Sequence, residues 1–115
     1  MTTGKGAVPW HKLAEKGNTD AMINIGILYG NGQGVEKDYK QAMEWYQKAV
    51  EKGDAGAMFN IGVFYDNGQG VEQDYKQAME WYQKAAEKGH ARAMFNIGLL
   101  FGNGQGVQQD YKQAM

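Results

Sequence analysis

A chain of 115 residues with 12 Lys and Arg against 13 Asp and Glu, and no basic run, argues against a surface that tracks nucleic-acid phosphates. The absence of Cys and Ser removes disulfides, thiolate metal sites and the two commonest nucleophiles, so no catalytic residue, metal or other cofactor is expected. No run reaches about 18 apolar residues and the first ten residues lack a signal-like apolar stretch, so the expectation is no membrane contact and, by default, a cytoplasmic setting.

Residues 7–17 read as a partial helix, because Gly6–Gly17 aligns with the later segment Ala42–Gly53. From Asn18 onward the chain repeats every 36 residues, as 18–53, 54–89 and a truncated 90–115. The first two copies agree at 27 of 36 positions, the second and third at 19 of 26. Such a period marks stacked units whose core is a row of interfaces between neighbours.

Within a copy, a first helix is expected from about Asp20 to Tyr29, capped by Asn18 or Thr19. Ala21, Met22, Ile25, Gly26 and Tyr29 share one arc of it. Glycine inside a helix costs about 1 kcal/mol against alanine. Its return as Gly62 and Gly98 therefore implies a helix passing close by. The segment Gly30–Val35 returns at Asp66–Val71 and Gly102–Val107 and reads as an irregular glycine turn. It follows a helix and lacks a Lys-Ser/Thr ending, which argues against a phosphate loop.

The second helix starts at Asp38, an N-cap with Gln41 in capping-box spacing, and closes on Gly53. Tyr39, Ala42, Met43, Tyr46, Ala49 and Val50 make its apolar stripe. Lys40, Glu44, Lys48 and Lys52 run along the opposite face as a solvated wall. Trp45 and Trp81 flank the stripe, and the repeated methionines read as core filling. His11 and His90 have no metal-like spacing and are expected to face solvent.

In copy two these positions run Ala57, Ile61-Gly62, Tyr65, Gly68-Gln69-Gly70-Val71, Asp74, Ala78, Trp81-Tyr82, Lys84-Ala85-Ala86 and Gly89. That pattern resembles the Sel1-like repeats, relatives of the tetratricopeptide repeat, over about Ala7 to Met115. The resemblance implies an all-α fold, an α-solenoid of antiparallel helix pairs in a right-handed superhelix. It also implies an adaptor or scaffold role with the first helices lining a concave face. Some cysteine-rich members are linked to penicillin binding or hydrolysis, which is not carried over to a chain without Cys or Ser.

Differences between the copies point to where a ligand would sit. Positions 20, 23, 27 and 30 vary and fall within about 80° of one another on a helical wheel. The expected peptide groove has an apolar floor of Ile23, Ile27, Phe59, Val63, Phe95 and Leu99, with Asp20, Asp66 and Arg92 at its margins. The same apolar positions could instead pack between adjacent first helices. Asn24, Asn60 and Asn96 are poor mid-helix residues that something specific should hold: a bond to a neighbouring repeat or, as the resemblance to tetratricopeptide grooves implies, a peptide backbone that they clamp.

The partial repeats at both ends suggest a second class of function. Asp110–Met115 would make only about 9 Å of helix, leaving Ala91–Phe101 without a full cover. Head-to-tail stacking through these ends is the alternative expectation. A consensus-type engineered scaffold without a natural ligand, or a recent duplication, fits the near-identity of the copies equally. The leading expectation is a non-enzymatic adaptor for a protein or peptide partner.

Overall fold

A computed structural model describes residues 7–104. These contain six helices and no strand: α1 (Ala7–Glu15), α2 (Thr19–Asn31), α3 (Tyr39–Val50), α4 (Ala55–Asn67), α5 (Tyr75–Glu87) and α6 (Ala91–Asn103). The stub Asp110–Met115 lies outside the described residues.

Each helix from α2 onward begins on a side chain that receives an N–H its own helix cannot satisfy. Asn18 accepts from Ala21 N at 2.8 Å, Asp54 from Ala57 N at 3.0 Å, and Asp38 and Asp74 from Gln41 N and Gln77 N at 3.1 Å. At α6 the cap is His90, whose Nδ1 accepts from Ala93 N at 3.2 Å. The first helices run past Tyr29 to Asn31, and Gly32 and Gly68 close α2 and α4 at φ 69° and 71°. Gly53 follows the last turn as expected, but the C-cap itself is Glu51. Helix α3 stops at Val50, and Gly53 N reaches back to Val50 O at 2.7 Å.

Helices pack in pairs, α2 on α3 and α4 on α5, and the pairs stack through α3 on α4 and α5 on α6. The result is an elongated all-α repeat solenoid of 53 × 25 × 17 Å. The recurrent helical glycines have the role their spacing implied. A Cβ at Gly26 would lie 2.5 Å from the Tyr46 ring, and one at Gly62 2.7 Å from the Tyr82 ring. Tyr46 and Tyr82 thus each lie against the bare backbone of the partner helix.

Two apolar clusters result. One joins Ala14, Ile25, Tyr46, Ile61 and Phe64; the other joins Met58, Phe59, Tyr82, Ala93 and Leu100. Met22, Met43, Met58 and Met79 are core residues as expected, whereas Met94 is exposed. Lys48 Nζ sits 4.2 Å from the Trp45 ring and Lys84 Nζ 4.3 Å from the Trp81 ring. The basic row of the outer wall therefore covers tryptophan faces as well as meeting solvent.

Neither histidine is a free surface group. His11 meets Trp45 edge to face at 5.6 Å, and His90 stacks on Phe59 at 4.7 Å in addition to capping α6. The expectation of solvent-facing histidines is corrected by these contacts: both rings are half-buried between consecutive repeats.

Candidate functional site

The varying positions of the first helices do not share one environment. In copy one, Asp20 is exposed, Ile23 and Asn24 are half-buried with Ile23 packed on the core, and Ile27 is 37% exposed. In copy two, Phe59 is only 8% exposed. It is enclosed by Tyr82 at 5.6 Å, by the His90 ring, and by the Arg92 guanidinium 5.6 Å from its ring centroid. Phe59 is thus part of the seam between repeats, and Arg92 helps to cover it. In copy three, Phe95 is 68% exposed and Leu99 is exposed too. The segment that would carry the next second helix lies outside the described residues.

Two of the three asparagines bond to the preceding repeat. Asn60 hydrogen-bonds the hydroxyl of Tyr46, and Asn96 that of Tyr82. An amide held this way satisfies a tyrosine hydroxyl that burial would otherwise strand. Asp66 takes part in the same chain of bonds: Tyr82 donates to its Oδ2 at 2.8 Å. Burial pushes the Tyr46 phenol up to about 12, with Asn60 pulling slightly the other way. Burial pushes Tyr82 up further, and the Asp66 carboxylate adds to that rise.

Between α2, α3 and α4 the stack leaves a cleft of about 270 Å³. Its walls are Ile27, Gly30 and Asn31 from α2, Tyr39 and Tyr46 from α3, and Asn60, Val63 and Phe64 from α4. Gln69, in the turn after α4, closes one side, with its Nε2 3.4 Å from the Tyr39 hydroxyl. The cleft brings together three residues singled out from sequence, Ile27, Asn60 and Val63. Sequence reasoning assigned Tyr39 and Tyr46 to packing and passed over Gln69. Beyond those three, the signal pointing here was the change at one position between copies, Gly30 against Asp66.

Among the described residues no group of three or more His, Asp or Glu is arranged to hold a metal, and no helix is long and apolar enough to cross a membrane. The Sel1 repeat model matches residues 19–54, 55–90 and 91–115. The chain belongs to the Sel1 repeat family. Members of this family generally mediate protein–protein interactions and are typically non-catalytic scaffolds. No curated protein sequence matches the chain significantly.

Three solved structures place the chain among Sel1 solenoids. A protective antigen of uropathogenic Escherichia coli with an SLR fold is 40% identical at a TM-score of 0.88, over 92% of this chain and 23% of that one. A Sel1 repeat protein of Oxalobacter formigenes is 45% identical at a TM-score of 0.78, over 84% and 40% respectively. Helicobacter pylori cysteine rich protein B is 30% identical at a TM-score of 0.67, over 73% and 63%. The chain therefore spans from about a quarter to under two thirds of these relatives.

Proposed function

We propose that this Sel1 array is a peptide-binding adaptor whose first-helix face receives a segment of a partner protein at the cleft between α2 and α4. The observation carrying this reading is the pairing of an apolar floor with convergent polar groups in an interior position of the stack. Ile27 and Val63 supply the floor; Tyr46, Asn60 and Gln69 supply the polar rim. Ligand sites commonly combine these features, and interface affinity concentrates in a few central anchors.

The test is selection of peptides from a displayed library on the folded chain, followed by Ile27→Glu. The variant should weaken the selected peptides about tenfold or more with helical circular dichroism unchanged. Undiminished binding would move the site elsewhere. A second reading, self-association, is favoured by a separate observation: α6 exposes Met94, Phe95 and Leu99. Light scattering across protein concentration tests it, and a constant monomer mass would exclude it.

A further inference from the structure

The two junctions formed by α3 on α4 and by α5 on α6 differ in the chemistry around one tyrosine hydroxyl. At the second, Asn96 bonds the Tyr82 hydroxyl and Tyr82 donates to the Asp66 carboxylate at 2.8 Å. At the first, the Asn60–Tyr46 bond is kept, but the position equivalent to Asp66 is Gly30. The Asn60 amide occupies the Tyr46 oxygen and leaves the hydroxyl proton to be donated. None of the described residues offers it the carboxylate that Tyr82 has.

Space for such a group exists. A Cβ at Gly30 would stand 3.8 Å from Phe64 and 3.9 Å from Ala42, ordinary contact distances, and Gly30 borders the open cleft. A second difference follows the first. Gln73, whose amide donates to the Asp66 carbonyl at 2.7 Å, is replaced in copy one by Lys37. The Lys37 ammonium lies 5.5 Å from the ring centroid of Tyr39, a wall of the same cleft. Relative to the second junction, the first has lost an anion and gained a cation.

We infer that this cleft is a carboxylate subsite, taking an Asp or Glu side chain of a bound peptide where Asp66 serves from within the chain one repeat later. The inference rests on the groove reading and supplies its specificity. Tyr46 donates the hydrogen bond, Asn60 orients that hydroxyl, and Lys37, beside the Tyr39 wall, adds a positive charge that favours an anion. Hydrogen bonds to a charged group are worth enough to change affinity about tenfold to a hundredfold.

The experiment uses sodium acetate as the probe and acetamide as its neutral counterpart, followed by amide and side-chain NMR shifts of the whole chain. Acetate should shift Asn60 and Gly30 saturably and acetamide should not. Gly30→Asp, which the open space accommodates, should abolish the response, and Asp66→Gly should create a second one at Asn96. Equal responses to the two probes, or an unchanged response in Gly30→Asp, would overturn the inference. In the displayed-peptide selection, Glu→Gln or Asp→Asn within a bound peptide should cost about tenfold or more, and amidating its C-terminus nothing. Peptides that bind through Ile27 without needing an acidic side chain would leave the groove standing and sink the carboxylate subsite. Acetate binding without any peptide binding would do the opposite.

Discussion

Tyr46 and Tyr82 occupy the same position in two nearly identical copies, yet their surroundings give them different work. Both rings lie on a glycine of the partner helix and both hydroxyls hold the asparagine of the next repeat. Burial raises both phenols because the charged phenolate is disfavoured away from water. The consequence for stability has a definite sign. An unfolded tyrosine titrates near 10 while folded Tyr46 holds its proton to about 12. Between those values the folded chain binds more protons, so the contribution is complete below pH 10 and is lost as pH climbs toward 12. Urea midpoints should fall steadily from pH 10 upward, and Tyr46→Phe should show a shallower decline. Parallel profiles for the two proteins would refute the assignment to Tyr46.

At the scale of helices, most of the architecture was legible because it depends on local rules. Asp38 and Asp74 cap where capping chemistry places them, and the recurrent Gly26 and Gly62 mark close approach. The glycine argument makes a paired prediction. Gly26→Ala adds a methyl 2.5 Å from the Tyr46 ring and should destabilise by about 1–3 kcal/mol despite the better helix propensity. Gly30→Ala in the same helix meets nothing closer than 3.8 Å and should stabilise by about 0.5–1 kcal/mol. Urea unfolding of the two variants checks both signs at once. What stayed hidden lies between copies. Phe59 shares a helical face with Ile27, but its exposure is decided by His90, Arg92 and Tyr82, which a single helical wheel does not contain. The His90 cap escaped notice because the other copies use Asn or Asp there. The cleft arises from a side chain that is not there, at Gly30, and only the stacked helices show what that leaves open.

Across the whole molecule, α4 is, among the described helices, the one that gives buried residues to both apolar clusters, while Val50 of α3 and Trp81 of α5 pack half-buried against both. Its Ala57, Ile61 and Phe64 join the cluster reaching back to α1, while its Met58 and Phe59 join the one reaching forward to α6. In a stacked array each unit is stabilised mainly by its neighbours, so the shared helix sets how far a local opening spreads. Ile61, fully buried, and Leu100, buried in α6, allow a matched comparison. Each change to Ala removes comparable apolar bulk and should cost about 2–5 kcal/mol at its own site. The spread should differ. Leu100→Ala should speed hydrogen exchange in α6 while the amides of α2 and α3 keep their protection. Ile61→Ala should speed exchange from α2 through α5, because it loosens the helix through which the two clusters support each other. It should also loosen the cleft, whose third wall is α4, so peptide binding should weaken in Ile61→Ala and persist in Leu100→Ala. If Leu100→Ala instead opened α2 and α3 as readily as α6, the array would be one cooperative unit and α4 would have no special place in it.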